Sequence, residues 1–162
     1  MAGHIPVLLT HILEMFAPVI QAQPDVPLKY FDGTFGRGGH LKAILEKYPQ
    51  ISAVAVDQDP DAIQFAQENF KEWIAQGRLQ VHHANFSDYS RERFGDFDLM
   101  LLDLGVSSPQ LDQGPRGFSF YHEGPLDMRM NNSTGTTAAD VIRDFSEDEL
   151  NELFKNLGEI SR

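Results

Sequence analysis

Cysteine is absent from the 162 residues of this chain. Its absence excludes disulfide bonds, thiolate metal sites and every mechanism in which a cysteine attacks the substrate. The covalent route to methylation at carbon 5 of a pyrimidine is one of the mechanisms excluded. Any chemistry on a nucleobase must therefore proceed without a cysteine adduct.

Long hydrophobic runs are also lacking. No stretch approaches the roughly 18 apolar residues that a membrane-spanning helix needs. The start carries no early Lys or Arg, and the segment from His4 to Phe16 has no small-residue cleavage site of the export type. We therefore expect a cytoplasmic protein that does not associate with membranes.

Positive charge is scarce. The chain has 13 Lys and Arg against 24 Asp and Glu, which gives a formal net charge of −11. This sign opposes binding to a phosphate backbone. Any contact with a nucleic acid must therefore depend on cations that are concentrated locally.

The length predicts one domain, and the hydrophobic pattern indicates its class. Through the first hundred residues the pattern alternates between strand-like and helix-like periods. Near-continuous apolar runs, which suit parallel strands covered on both faces, predict strands at 28–31, 53–56, 79–81 and 97–102. We therefore predict an α/β fold with a doubly wound parallel sheet.

The predicted helices lie between these strands. One is expected over residues 6–16 and one after the glycine-rich stretch that follows the first strand. Asp59 and Pro60 form a favourable helix start, with a carboxylate cap and proline in the first turn. The apolar stripe of that helix is predicted to run from Ala62 to Trp73.

Regular periodicity disappears between Gly105 and about Gly135, where glycine, proline and asparagine recur. A loop of this length in a compact domain is usually functional or mobile. Capping boxes at 137–140 and 146–149 predict two short helices after it.

A glycine loop, Asp32 to His40, lies between the first strand and the next helix. Main-chain N–H groups can approach a ligand there without interfering side chains. A dinucleotide fingerprint starting at Gly36 would need Gly or Ala where Leu41 stands, so the standard NAD interpretation fails. S-adenosylmethionine fits instead, because it carries adenosine without a pyrophosphate. An ordinary tight turn is the alternative.

Polar and aromatic residues follow the other strands. Asp57 closes the second strand, where an acidic residue suits a ribose diol, although it could simply cap the next helix. Asp103 ends the fourth strand and could accept a hydrogen bond from the methionine amino group or a substrate amine, or merely end a turn. Phe86 could stack on adenine or fill the core. No histidine pair has metal-site spacing, so no metal is expected, and His82-His83 is interpreted as a turn.

The motifs of this chain closely resemble those of the bacterial 16S ribosomal RNA cytosine-N4 methyltransferases. The resemblance runs from residue 4 to about residue 159 and is most specific between Asp103 and Met130. It rests on the segments His4–Leu9, Asp32–His40, Asp57–Ala62, Asn85–Ser87, Leu102–Asp112, Arg116–Phe120 and Gly124–Met130.

The resemblance implies a class I, Rossmann-like methyltransferase that uses S-adenosylmethionine on the exocyclic amine of a cytidine in small-subunit ribosomal RNA. It implies an S-adenosylmethionine-binding half at 1–104, and a long substrate loop with the start of an inserted helical domain at 105–162. The cofactor contacts that it implies are Gly38, Gly39, His40, Asp57, Phe86, Asp103 and Gln110.

Candidate residues for the substrate are charged. Asp103 and Asp127 are candidates for contacting or deprotonating the cytidine amine, and Arg116 and Arg129 are candidates for binding the RNA backbone. The alternative for the arginines is exposure to solvent or salt bridges within the loop, to Asp112 or Asp127.

Members of the resembled family are about twice as long as this chain, so we expect either a fragment or a natural truncation and an incomplete sheet. Two other classes stay open: a cofactor-binding or interaction module without independent activity, and an oxidoreductase on the same fold, which the failed NAD fingerprint disfavours. An apolar fourth strand at the sheet edge predicts self-association, such as a homodimer.

Overall fold

The computed structural model describes residues 6–158 and 160, so His4 and Ile5 of the first motif lie outside the described residues. The chain forms two compact units, Met1–Gly105 and Val106–Arg162. The length had predicted one domain. The division falls where the strand-helix alternation of the sequence stops.

The first unit contains a four-stranded sheet. Its strands are β1 (Leu28–Asp32), β2 (Ile51–Asp57), β3 (Leu79–His83) and β4 (Leu99–Leu101). All pairings are parallel, and the spatial order is β3-β2-β1-β4. The predicted α/β fold with a parallel sheet is confirmed.

Helices connect and cover these strands. They are α1 (Leu9–Gln21), α2 (Gly39–Lys47), α3 (Pro60–Asn69), α4 (Lys71–Ala75) and α5 (Arg91–Phe94), with a short 3-10 helix at Phe86–Asp88. Asp59 caps α3 as predicted, because its carboxylate accepts from the N–H of Asp61 at 3.0 Å.

The sheet is covered on both faces, as a doubly wound arrangement requires. Tyr30 of β1 packs into the larger core, which contains buried residues of α1, α2 and α3 and partly buried residues of α1. Phe31, the next residue, points to a second cluster with Val56 and Ala84, against which Tyr89 and α5 pack. The alternation along β1 therefore places successive side chains in different cores.

Two details of the first unit differ from the sequence-based expectation. The predicted stripe ending at Trp73 is interrupted at Phe70, which lies between α3 and α4 and is buried. The Phe70 and Trp73 rings are tilted against each other, with their centroids 5.5 Å apart. The interpretation of His82-His83 as a turn is wrong, because both pair with β2 and extend β3.

The second unit is mainly irregular and contains three α-helices in its described part. They are α6 (Ser108–Asp112), α7 (Ala138–Asp144) and α8 (Glu147–Leu157), with a 3-10 helix at Gly114–Arg116. The capping boxes of Thr137 and Ser146 start α7 and α8 as predicted. Helix α6 was not predicted, although Ser107 and Gln110 form a capping box there.

Within residues 6–158 and 160, the helices are too short or too polar to cross a bilayer.

Candidate functional site

The glycine loop follows β1 and leads into α2. Gly36 and Gly38 both have positive φ angles, 53° and 68°, and the Gly38 N–H donates to the Phe35 carbonyl at 2.6 Å. A Cβ at Gly38 would lie 2.5 Å from ring atoms of Phe35 and Phe70. The loop is therefore a tight turn that only glycine accommodates at Gly38.

Two carboxylates at strand ends hold the loop by its main chain. The N–H of Thr34 donates to Asp32 Oδ1 at 3.2 Å, and the N–H of Gly36 donates to Asp57 Oδ2 at 2.7 Å. Because Asp32 ends β1 and Asp57 ends β2, the loop is fastened to two neighbouring strands at once.

Asp32 is a buried acid that the sequence analysis did not assign to the site. Only 2% of it is exposed, and its Oδ2 accepts from the Tyr30 hydroxyl at 3.1 Å. Burial raises the pKa of Asp32 to about 6, against the opposing effect of the Thr34 N–H and the Tyr30 hydroxyl. The signal that could have revealed it is an acid directly before a glycine at the end of an apolar strand.

Asp57 combines the loop contact with a helix contact. Its Oδ1 accepts from the N–H of Asp59 at 2.9 Å, just before α3. Burial raises the pKa of the Asp57 carboxyl, although main-chain N–H groups partly offset the effect. The structure thus places the predicted ribose-binding carboxylate beside the glycine loop, and the ribose contact itself stays a prediction.

His40 and Asp103 lie close to each other. His40 is buried, and its Nε2 is 2.9 Å from the Val7 carbonyl, a pure acceptor, so this nitrogen carries the hydrogen. Its Nδ1 lies 3.8 Å from Asp103 Oδ2. The Asp103 side chain is 48% exposed, and its main-chain N–H donates to Thr34 Oγ1 at 2.7 Å. The ends of β1 and β4 are joined by that bond.

Gly39 and the segment before α1 are also in contact. A Cβ at Gly39 would lie 2.4 Å from Pro6 Cγ, so a larger residue would displace either the loop or this segment. The predicted site residues Gly38, Gly39 and His40 therefore occupy a tightly packed corner.

Phe86 follows β3 in a 3-10 turn that the Asn85 side chain caps, with Asn85 Oδ1 accepting from the Ser87 N–H at 2.9 Å. Phe86 is partly buried and packs against the cluster of Phe31 and Val56. Stacking on adenine and filling the core therefore remain alternatives for this ring.

The remaining predicted site residues belong to the second unit. Gln110 is buried, and its Oε1 accepts from the Ser107 N–H at 2.9 Å. Arg116 is 6% exposed and donates through Nη2 to the carbonyls of Arg129 and Met130, at 3.2 and 2.8 Å. These bonds favour the loop-internal alternative for Arg116, whose RNA contact stays a prediction.

Asp127 and Arg129 form a bidentate ion pair. Arg129 donates through Nε to Asp127 Oδ1 at 2.9 Å and through Nη2 to Oδ2 at 2.7 Å. The hydrogen bonds from Arg129 lower the pKa of Asp127 to about 2. Asp127 is therefore ionised at neutral pH, and the predicted loop-internal alternative of a salt bridge to Asp127 is realised for Arg129.

Comparison with known proteins decides the family. The sequence model of the MraW methylase family matches residues 1–162. The chain belongs to the MraW methylase family. The resemblance stated from the motifs is confirmed.

Three curated relatives of this chain carry the name Ribosomal RNA small subunit methyltransferase H. The relative from Bdellovibrio bacteriovorus is 54% identical over 159 residues, which cover 98% of this chain and 48% of the relative. The relative from Crocosphaera subtropica is 43% identical with the same coverage, and one from Francisella tularensis is 47% identical over 135 residues, 80% of this chain and 44% of the relative. The chain spans about half the length of the curated relatives it matches.

One solved structure, titled Putative methyltransferase yhhF from Escherichia coli, resembles part of the MraW methylase family chain. It is 20% identical, has a TM-score of 0.41, and the match covers 53% of this chain and 44% of that one. This likeness is too weak to carry an argument.

The six predicted site residues of the first unit lie at the carboxyl ends of the strands in this chain of the MraW methylase family. They are Gly38, Gly39, His40, Asp57, Phe86 and Asp103. Ligands of open α/β sheets bind at this edge. Within the described residues, no group of three or more His, Asp or Glu side chains is arranged to hold a metal ion.

Proposed function

We propose that this chain is the cofactor-binding half of an S-adenosylmethionine-dependent methyltransferase that acts on the exocyclic N4 of a cytidine in small-subunit ribosomal RNA. The observation that carries the proposal is the glycine loop, fastened by Asp32 and Asp57, in a chain of the MraW methylase family. The names of the curated relatives support the RNA substrate.

The donor set of the first unit fits this cofactor. Gly38 and Gly39 have no side chains, so main-chain groups are available at the start of α2. Asp57 lies at the end of β2, where its carboxylate can accept hydrogen bonds from both ribose hydroxyls. The exposed Asp103 carboxylate can accept from an ammonium group. Phe86 offers a ring for the adenine. When bound, the cofactor supplies a methyl group on a positively charged sulfur.

The substrate amine is a weak nucleophile, because the N4 lone pair is delocalised into the cytosine ring. Transfer of the methyl group in a single in-line displacement would need no covalent bond to the protein, so positioning of the amine by the protein would supply most of the rate enhancement. Single-stranded or flipped cytidine exposes its Watson-Crick edge for this purpose. Asp103 of the first unit and Asp127 of the second unit are separate candidates for contacting that edge.

Methylation requires N4 to lose one proton as the carbon-nitrogen bond forms. Because the amine becomes strongly acidic as it gains the methyl group, a weakly basic carboxylate suffices to accept that proton. In the second unit, Asp127, whose pKa Arg129 holds at about 2, is ionised at neutral pH and is a separate candidate for accepting a hydrogen bond from the amine. Asp103, 48% exposed at the end of the sheet, is our candidate for the proton acceptor.

RNA contacts in the second unit are assigned to Arg129 rather than Arg116. The Arg129 side chain is 24% exposed, whereas Arg116 is buried. We propose that Arg116 orders the loop and that Arg129 approaches the backbone of the RNA.

Two measurements on the purified chain test this function. Calorimetric titration with S-adenosylmethionine should show binding, and incubation with small ribosomal subunits and methyl-labelled cofactor should yield N4-methylcytidine after nuclease digestion. Detection of a different methylated nucleoside would contradict the proposed reaction. Binding of NAD in place of S-adenosylhomocysteine would contradict the proposed cofactor.

A second function is a cofactor-binding or interaction module without independent activity. It is favoured by the predicted cofactor residues that lie at the carboxyl ends of the strands within the first unit alone. Cofactor binding without methyl transfer to ribosomal subunits would select this alternative.

A further inference from the structure

Most arginines in the described part of the chain have oxygen partners. Arg78 and Arg116 donate to main-chain carbonyls. Arg91, Arg129 and Arg143 pair with aspartates that are near them in sequence. In a chain of net charge −11, a new ligand of these guanidinium groups would have to share or displace the partners that they already have.

The other two described arginines lie on aromatic rings. The guanidinium carbon of Arg37 is 4.4 Å from the centroid of the Phe65 ring, and that of Arg93 is 4.8 Å from the Phe94 ring. Both arginines are exposed. A guanidinium that lies on a ring keeps its N–H donors at the edge of the plane available for a ligand.

Arg37 differs from Arg93 in its location and support. It stands between Gly36 and Gly38 in the turn whose Gly36 N–H is bound by Asp57. Beneath this turn, the Phe35 ring packs edge-on against Phe70 at 5.2 Å, and Phe70 packs against Phe65 at 6.4 Å. The position of the Arg37 guanidinium is therefore set by a largely buried aromatic group rather than by a flexible surface.

We propose that the Arg37 guanidinium binds a backbone phosphate of single-stranded RNA at the rim of the glycine loop, an inference that rests on the proposed function. A planar cation with free donors matches the geometry of a phosphate group. It also supplies positive charge beside a loop that is otherwise bounded by the carboxylates of Asp32, Asp57 and Asp103.

The test uses the whole chain and a fluorescein-labelled single-stranded RNA of 15 nucleotides with a central cytidine. Dissociation constants are measured by anisotropy at several salt concentrations for the wild type, Arg37→Met, Arg37→Lys and the matched control Arg93→Met. Loss of one phosphate contact should weaken binding several-fold at low salt and reduce the slope of log affinity against log salt by about 0.7. Arg37→Lys should retain most of the slope, and Arg93→Met should match the wild type.

Three results would overturn the assignment of Arg37. The first is an Arg37→Met variant with unchanged RNA affinity and salt slope, and the second is an equal loss in Arg93→Met. The third is a loss of S-adenosylhomocysteine affinity in Arg37→Met, which would make Arg37 a cofactor-binding residue. The melting temperatures of all variants show whether each is folded. A wild-type chain that binds the cofactor but no RNA would instead overturn the proposed function, and the phosphate contact with it.

Discussion

The main-chain N–H of Gly36 donates to Oδ2 of Asp57 at 2.7 Å, so the turn after the first strand is fastened to the end of the second. The same carboxylate accepts from Asp59 through its other oxygen. Asp57 therefore shapes the glycine loop in addition to offering a carboxylate at the predicted ribose position. Substitution there should affect both the loop and the ligand.

Asp57→Ala is expected to weaken S-adenosylmethionine binding by roughly 1.5 to 3 kcal/mol, through loss of a charge-assisted contact. Calorimetry measures the change, with Glu72→Ala, an exposed carboxylate on α4, as the matched control. Unchanged affinity in an Asp57→Ala chain that binds the cofactor would show that the ribose lies elsewhere.

Asp103→Ala is expected to reduce methyl transfer to small-subunit RNA at least about 100-fold while the fold persists. The side chain is half exposed, and the bond to Thr34 uses the main-chain N–H of Asp103, which alanine keeps. A filter assay with labelled cofactor and small ribosomal subunits measures activity, and thermal unfolding reports the fold. Wild-type turnover in this variant would show that Asp103 has no part in the mechanism. Glu92→Ala on α5 is the control for loss of a surface charge.

Asp32→Asn should change how stability depends on pH. Burial raises the pKa of Asp32 from 3.8 to about 6, so the folded chain holds this proton more tightly than the unfolded chain. Stability therefore falls as pH rises from about 4 to about 6, and the loss is constant above that range. Across this pH range, the free energy of unfolding of Asp32→Asn should rise relative to that of the wild type by up to about 3 kcal/mol.

Urea unfolding at a series of pH values measures the difference between Asp32→Asn and the wild type. Subtracting the two curves cancels the titration of groups that both proteins share. Parallel curves between pH 4 and 6 would show that Asp32 is not protonated in this range, and Glu72→Gln should give parallel curves as a control.

Arg129→Met should loosen the loop around Asp127 and let the pKa of that carboxyl rise toward its ordinary value, because Arg129 lowers it to about 2. The N–H groups of Ala138 and Ala139 donate to the carbonyls of Asp127 and Leu126, both at 2.8 Å, and serve as reporters. Their hydrogen exchange should become several-fold faster. Exchange as slow as in the wild type would mean that the ion pair does not order this loop.

Self-association is expected of the chain, because β4 lies at the edge of the described sheet and Met100 within it is 49% exposed. Light scattering at high micromolar concentration should show species larger than a monomer, and Met100→Lys should reduce them. Met15→Lys on α1, where the side chain is 74% exposed but lies on a helix, should have no such effect. A monomeric wild type would contradict the expectation.

Local patterns in the sequence were enough for the elements and for much of the site. Apolar runs located the four strands, Asp59, Thr137 and Ser146 located helix starts, and the glycines located the tight turn. These signals act over a few residues, because caps and turns depend on neighbouring main-chain groups. The same apolar runs predicted that Asp57 and Asp103 lie at the carboxyl ends of β2 and β4.

Only the tertiary structure decided which distant groups meet. The sequence shows that Arg37 and Phe65 exist, but their stacking depends on α3 packing beside the loop. The burial of Asp32 and that of Arg116 are likewise set by the tertiary structure, since burial depends on every element that covers a residue. The position of a charged residue in the sequence therefore suggests a site. The pKa of its side chain, and which of its hydrogen-bond donors are available to a ligand, are set by the packing around it.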